Sequence, residues 1–328
     1  GQSSNDVIPS ALHISALTRI NDRLVPALVY LKTSLLHKTS EMGDVKKIGR
    51  THLQDAVPMF LGQEFSGYAR QVALGIKRIE AVEDRLAELA LGGTAVGNGL
   101  NTHSDFAKKV VALVSKHSNF NFTEAENHFE AQGAQDAAVE TSGALKTIAV
   151  SLVKICNDIR WLASGPRCGL GEISIPSVQP GSSIMPGKIN PVIPEAVIQA
   201  AVQVMGNDTT IMLGGQAGNF ELNVTLPLLT DVLLDSIEVL SGAVDGFRTR
   251  CVEGLRLDRE RVAACVEQSL MLATALAPKI GYENAAALAM EAYRSGRTIP
   301  DLAEEQGVLP PAELTEALDL RRMTEPGR

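Results

Sequence analysis

The sequence contains few aromatic residues, 4% of its 328 residues, and no block of lysine or arginine. A chain with few aromatic residues and many alanines and leucines favours helices over sheets. The formal net charge is −8 at pH 7, which makes nucleic acid and anionic membrane surfaces unfavourable partners. No uninterrupted apolar run is long enough to cross a bilayer, so we expect no membrane partner either.

Cysteine is also scarce, and the four cysteines form neither a CxxC pair nor a metal-ligand spacing. We therefore expect no metal and no other cofactor. Cys156 lies in an apolar helical pattern and is predicted to belong to the core. A reducing, cytoplasmic location is expected, although a processed protein of an organellar matrix would have the same composition.

Apolar residues that recur every three or four positions predict long helices. We expect helices over about 9–39, 68–91, 145–162, 191–205 and 219–244, with bends at Pro26 and Pro227. Five such helices predict an all-α fold, a long antiparallel five-helix bundle over residues 1–257. After about Leu257 the segments shorten, which predicts a small C-terminal helical domain over residues 258–328.

The segment Gly181–Val197 combines hydroxyls, an ammonium, an amide and a carboxylate. Asn190 is predicted to cap a helix whose first residue is Pro191. Free N–H groups at such a helix start, with Lys188 just ahead, suit a small anion. The alternative is an ordinary connection rich in glycine and proline, but groups this varied seldom share a loop without a ligand.

A second polar cluster surrounds His52, which lies between two predicted helices with Thr51 beside it. A histidine in this setting suits acid–base chemistry, and a structural histidine is the competing interpretation. The structural interpretation is favoured for His13, His37, His117 and His128, and both stay open for His103.

Ser3, Ser4 and Asn5 form a third polar cluster at a predicted helix start. The segment Gly92–Gly99 lacks the spacing of a phosphate-binding loop and predicts a tight turn with close backbone approach. The three polar clusters lie far apart in sequence, so they can converge only in a helical bundle or an oligomer of bundles.

These segments resemble a known family. The stretch GSSIMPGKINPVIPE resembles the signature of the fumarase/aspartase superfamily, and GQSSND and GRTHLQDAVPM resemble two other regions of class II fumarate hydratases. The resemblance covers essentially the whole chain. Because the family begins well upstream and this chain does not start with Met, we expect that the N-terminal domain of the family is missing here.

The resemblance implies a hydro-lyase that adds water reversibly and anti to fumarate, giving L-malate through an aci-carboxylate intermediate. It implies that Ser182 is the base that removes the carbon-bound proton, and that His52, oriented by Glu195, handles water. It also implies a substrate-binding set, which consists of Ser3, Ser4, Asn5, Thr51, Ser183, Lys188, Ile189 and Asn190. The expected assembly is a homotetramer with a core of twenty helices and active sites shared between subunits.

Three alternatives remain. Aspartate ammonia-lyase is one, because Pro191–Glu195 also resembles the aspartase signature. Against it stand His52, where aspartases usually carry Gln, and the fumarase-like segment Gly218–Asn223. The others are a non-catalytic helical oligomer and an inactive fragment.

Overall fold

The fold is all-α, as predicted. The structure, a computed structural model, describes residues 1–324. Within that range no helix is both long enough and apolar enough to cross a membrane. The α-helices are α1 Ser4–Arg19, α2 Val25–Glu41, α3 Leu61–Glu80, α4 Glu83–Ala87, α5 Phe106–Ser118, α6 His128–Gly133, α7 Asp136–Leu162, α8 Val192–Gly215, α9 Leu226–Phe247, α10 Arg259–Glu267, α11 Ala277–Ile280, α12 Tyr282–Ser295, α13 Ile299–Glu305 and α14 Pro311–Ala317.

The strands are short and pair two by two. The antiparallel pair β1–β2 forms the longest ladder. The strands are β1 Lys46–Thr51, β2 Gln54–Phe60, β3 Glu88–Leu89, β4 Thr123–Glu124, β5 Ile173–Ser174, β6 Gly218–Asn219, β7 Leu222–Asn223 and β8 Arg256–Leu257.

The bend predicted near Pro26 is a π-helical turn at Ile20–Leu24, between α1 and α2. The Val25 N–H donates to the Ile20 carbonyl, five residues back. Pro26 has no N–H, and its ring would clash with a carbonyl of the preceding turn. A widened turn directly before it accommodates both effects.

The other predicted helices exist with different bounds. The second stripe breaks between α3 and α4, whereas α7 begins well before the stripe and α8 runs ten residues past Met205. The kink predicted at Pro227 is wrong: α9 begins at Leu226, so this proline occupies the first turn, where its missing N–H costs nothing.

Unit 1 is compact and consists of residues 1–34, 69–160 and 175–254. In it α8 packs against α9, and α1 also contacts α9. The apolar residues of the predicted stripes are buried, among them Leu145, Leu152 and Ile237, except for Ile8, which is 40% exposed. The stripes therefore form core, as predicted. Cys156 is buried as expected, and this burial raises the pKa of its thiol far above the usual range.

Unit 2 consists of residues 35–68, 161–174 and 255–328, of which residues 325–328 lie outside the described part. It contains β1–β2, with α10 against β1, and an apolar cluster that includes Leu276, Leu288 and Ile299. The change in sequence texture at Leu257 falls close to the start of its last segment. The division into domains 1–257 and 258–328 stays a prediction, since unit 2 also takes two earlier segments.

Candidate active site

The candidate loop, residues 181–190, is closed at its base. A Cβ atom at Gly181 would lie 1.8 Å from the Lys188 carbonyl oxygen, so only glycine fits there. The Asn190 side-chain amide donates to the Gly181 carbonyl and fastens the two ends of the loop. The loop therefore has a defined geometry although it contains no helix or strand.

The predicted capping of α8 by Asn190 is wrong. Helix α8 begins at Val192 rather than Pro191, and within the described residues no side chain caps its first turn. The amide of Asn190 is used in the loop, while its carbonyl accepts the Val192 N–H at 2.9 Å. An uncapped helix start leaves N–H donors that can face an anion.

Ser182 accepts two backbone hydrogen bonds within the loop. Its Oγ receives the Met185 N–H at 3.0 Å and the Ile184 N–H at 3.3 Å. Donors aimed at a hydroxyl oxygen stabilise negative charge on it, and so favour loss of its proton.

The remaining loop residues of the predicted site are exposed. Ser183, Lys188 and Ile189 lie at the solvent-facing part of the loop. Among the carboxylates in residues 1–324, none pairs with the Lys188 ammonium, so this charge is available to a ligand.

Glu195, on the first turn of α8, has a partner that was not predicted from the sequence. Its Oε1 lies 3.5 Å from Nη2 of Arg160, near the end of α7. Both side chains are partly exposed. The spacing in sequence gives no signal for this pair, because the two helices approach only in the folded unit.

The cluster at the start of α1 is largely engaged within the chain. The Ser3 hydroxyl accepts the Asn5 N–H, and the Asn5 amide donates to the Ala95 carbonyl at 2.8 Å. Ser4 is exposed. Ser3 and Asp6 form a reciprocal capping box, which the spacing Ser-x-x-Asp could have indicated.

Asp6 joins this helix start to the glycine-rich turn. Its buried carboxylate accepts the N–H groups of Gly92 at 3.0 Å and of Thr94 at 3.1 Å. Gly92 has a φ of +110°, and a Cβ there would lie 2.3 Å from the Ala107 Cβ. The predicted tight turn is confirmed.

Thr51 and His52 belong to unit 2 and lie at the end of the β1–β2 hairpin. The prediction that His52 lies between two helices is wrong, because two strands flank it. His52 and Leu53 form the two-residue turn, with φ values of 55° and 60°. Such turns favour asparagine and glycine, and a positive φ costs other residues about 1–2 kcal/mol each.

A buried ionic network supports this hairpin. Glu172 is fully buried; its Oε1 lies 2.6 Å from Nη2 of Arg50, and its Oε2 lies 3.5 Å from Nζ of Lys47. Lys47 also pairs with Glu64 at 2.9 Å. Burial alone would lower the pKa of Arg50. The hydrogen bond to Glu172 and the negative charge of Glu172 outweigh this effect, so the pKa of Arg50 is raised.

The structure thus gathers the predicted residues into three places. One loop holds Ser182, Ser183, Lys188, Ile189 and Asn190. Glu195 follows this loop on α8. No hydrogen bond or ion pair in residues 1–324 joins this loop to the Ser3–Asn5 cluster, although both lie in unit 1. Thr51 and His52 lie in unit 2.

Comparison with known families identifies the class of protein. The lyase family model matches residues 1–206, and the model of the fumarase C C-terminus matches residues 272–325. Fumarate hydratase class II of Nitrosomonas europaea is 50% identical over 325 residues, which are 99% of this chain and 70% of that protein. The chain belongs to the class II fumarate hydratase family of lyases.

Two further matches agree. Fumarate hydratase 2 of Arabidopsis thaliana is 51% identical over 325 residues, 99% of this chain and 65% of that protein. A crystal structure of class II fumarase from Schistosoma mansoni matches with a TM-score of 0.96 at 37% identity, covering all of this chain and 72% of that one. The chain therefore spans about two thirds of the length of its curated relatives.

Proposed function

We propose that the protein is a fumarate hydratase, which adds water reversibly and anti to fumarate and gives L-malate. The observation that carries this proposal is the Ser182 hydroxyl, which accepts two backbone N–H groups on a loop that also presents Lys188. Membership of the class II fumarate hydratase family supports it.

The difficult step in the malate-to-fumarate direction is removal of a proton from the carbon beside a carboxylate. The resulting carbanion puts a second negative charge on that carboxylate, which becomes an aci-carboxylate. A site for this chemistry must offer a base and preorganised donors where the charge develops.

Ser182 is the proposed base. A serine hydroxyl is too weak an acid to serve unaided, so its alkoxide needs stabilisation. The N–H groups of Ile184 and Met185 provide two donors, and the Lys188 ammonium on the same loop adds a positive charge. The proton would then pass from the substrate carbon to the Ser182 oxygen.

The substrate carboxylate is proposed to lie against Lys188 and Asn190, close to the uncapped start of α8. Ser183 and Ile189 would complete this part of the site. The remainder of the dicarboxylate would be bound by Ser3, Ser4, Asn5 and Thr51. The side-chain nitrogens of Asn5 and Asn190 each carry two N–H groups; one donates within the chain, so the other can donate to a substrate oxygen.

His52 is proposed to handle the water at the neighbouring carbon, with Glu195 as its orienting carboxylate. In one chain Glu195 pairs with Arg160, which holds the carboxylate at the start of α8. A carboxylate beside an imidazole favours the protonated ring, and so strengthens it as a base. The strained turn that carries His52 is consistent with this role.

The proposed assembly is a homotetramer with shared active sites, its core made of the long helices of four chains. This arrangement would let clusters from different subunits meet at one substrate.

We also infer a cytoplasmic location. The matched relatives include a protein named mitochondrial, so cell fractionation is the experiment that decides between the two compartments.

The test is an assay of the full-length gene product with L-malate and with L-aspartate, following fumarate by its ultraviolet absorbance. Fumarate from malate alone is expected. Fumarate from aspartate alone would identify an ammonia-lyase, and no product from either substrate would favour a structural oligomer.

Replacing Ser182 by alanine tests the role of the base. We expect turnover to fall by about 10²- to 10⁴-fold, because general-base catalysis contributes that much. Assembly, measured by light scattering, is expected to stay unchanged. Ser295→Ala on α12 is the matched control and keeps full activity. Full turnover in Ser182→Ala would refute the assignment.

A further inference from the structure

A second polar pocket lies in unit 1, outside the residues assigned to catalysis. Its volume is about 350 Å³, within the range of small-ligand sites. The walls come from α1, α4, β3, the end of α6 and the start of α7. The lining includes His13, Arg85, Glu88, Glu130, Gln135 and Asp136.

Gln135 is the feature that needs an explanation. The residue is 2% exposed, and neither its amide nitrogen nor its amide oxygen has a hydrogen-bond partner in residues 1–324. Leaving a buried amide unpaired destabilises a fold, whereas an apolar side chain of the same shape would avoid that cost. The orphaned amide oxygen in the pocket wall indicates a ligand that brings an N–H donor to it.

The charges around the pocket are unbalanced. The single guanidinium, Arg85, is paired with both carboxylate oxygens of Glu140. Glu88, Glu130 and Asp136 have no cationic partner within residues 1–324. Burial raises the pKa of Glu130, and the charges of Asp136 and Glu88 raise it further, so the three carboxylates repel one another.

His13 contributes an acceptor. Its Nδ1 lies 2.8 Å from the Glu88 carbonyl, which can only accept, so Nδ1 carries the proton. Burial lowers the pKa of His13 and so favours the neutral ring, although the hydrogen bond to the Glu88 carbonyl opposes this effect. In the neutral ring Nε2 is then an acceptor, and within residues 1–324 no donor bonds to it.

We propose that this pocket binds a small organic cation that carries several N–H donors, an amine or a guanidine. Its charge would balance the carboxylates, and its N–H groups would bond to the Gln135 oxygen and to His13. The positive end of α7 opposes a cation, but it amounts to about half a charge and Asp136 lies on it. A bare metal ion would leave most of the volume and the Gln135 amide unused.

Agmatine, which has a guanidinium and an ammonium group, is the probe, and binding to the assembled full-length protein is measured by calorimetry. Tetramethylammonium, a cation without N–H donors, is the control ligand and is expected to bind at least tenfold more weakly. Absence of saturable agmatine binding up to about 10 mM would overturn the proposal. That result is expected if a basic side chain of a second copy fills the pocket. Saturable Mg²⁺ binding in place of agmatine would overturn it too.

Two variants locate the binding. Glu130→Gln is expected to weaken agmatine about tenfold, while Glu126→Gln, an exposed carboxylate outside the pocket, stays within about twofold. Gln135→Leu is expected to weaken binding about tenfold and to leave the ligand-free melting temperature equal or higher. A lower melting temperature with unchanged binding would make Gln135 a structural residue and refute the site. Both variants lie outside the catalytic residues, so hydration of fumarate is a separate readout.

Discussion

At the scale of single residues, Gly181 controls the candidate loop most directly. A methyl group there would overlap the Lys188 carbonyl, because the two atoms would be 1.8 Å apart. We predict that Gly181→Ala forces the base of the loop open and displaces Ser182. A displacement of about 1 Å can cost about 10²-fold in rate, so turnover is expected to fall by that factor.

The measurement is steady-state turnover of malate together with thermal unfolding. Gly67→Ala is the matched control, since a Cβ on this residue of α3 meets no atom within 4 Å. It is expected to keep full activity and to gain about 0.5–1 kcal/mol in unfolding free energy. Wild-type activity in Gly181→Ala would show that catalysis does not need a closed loop.

Glu172 is the residue on which the hairpin network depends. Replacing it by glutamine would leave the buried Lys47 and the half-buried Arg50 without their shared carboxylate. We expect the unfolding free energy to fall by about 3–5 kcal/mol, the usual cost of breaking a buried ion pair. Urea unfolding at one fixed protein concentration measures this, because oligomer stability depends on concentration.

Asp55→Asn is the comparison for Glu172→Gln. Asp55 is 63% exposed and lies 4.0 Å from Nε of Arg50. Exposed pairs contribute about 0–1 kcal/mol, so a change above that range would mean that the network extends to the surface. Equal effects of the two variants would contradict the central role given to Glu172.

At the scale of elements, Asp6 couples the start of α1 to the glycine-rich turn. The carboxylate accepts N–H groups from Ser3, Gly92 and Thr94. In Asp6→Asn the amide NH₂ would face N–H donors. We expect the unfolding free energy to fall by about 1.5–3 kcal/mol, the contribution of one charged hydrogen bond.

Chemical denaturation checks this prediction, with Asp22→Asn as the control because Asp22 is exposed in the π-helical turn. Hydrogen exchange should show that opening of the Gly92–Thr94 turn increases in Asp6→Asn. If stability fell without faster exchange in that turn, the coupling between the two elements would be refuted.

Helix α7 was predictable because its stripe of buried residues repeats over many turns and reflects one continuous apolar face. The Ser182, Lys188 and Asn190 cluster was predictable because its groups lie together in sequence. Glu172 was not predictable, since its partners Lys47 and Arg50 lie more than a hundred residues away in sequence. The predicted Asn190 cap is wrong because the side chain is turned toward the Gly181 carbonyl, to which it donates, and not toward the first turn of α8.

At the scale of the whole molecule, large apolar side chains are exposed on the long helices. Val150 on α7 and both Val202 and Leu213 on α8 each expose more than half of their surface. Exposed apolar faces of this kind mark association surfaces. We predict that Val202→Glu weakens the proposed tetramer, because a desolvated charge would lie in its interface.

Light scattering coupled to gel filtration measures the mass, and malate turnover is followed in the same fractions. Leu113→Glu on α5, which is equally exposed, is the control and is expected to stay assembled. If sites are shared, dissociated Val202→Glu loses activity together with its mass. Dissociated subunits with full activity would refute shared sites.

Unit 2 is built from segments that lie far apart in the sequence, and this affects how it folds during synthesis. The Gln63 amide donates to the Thr324 carbonyl, 261 positions later, and β1 packs against α10. At translation rates of about 5–20 residues per second, the ribosome needs roughly ten to fifty seconds between these segments. The nascent hairpin that carries His52 therefore lacks these partners until the segment that ends at Thr324 has been synthesised, and chaperones would matter most during this interval.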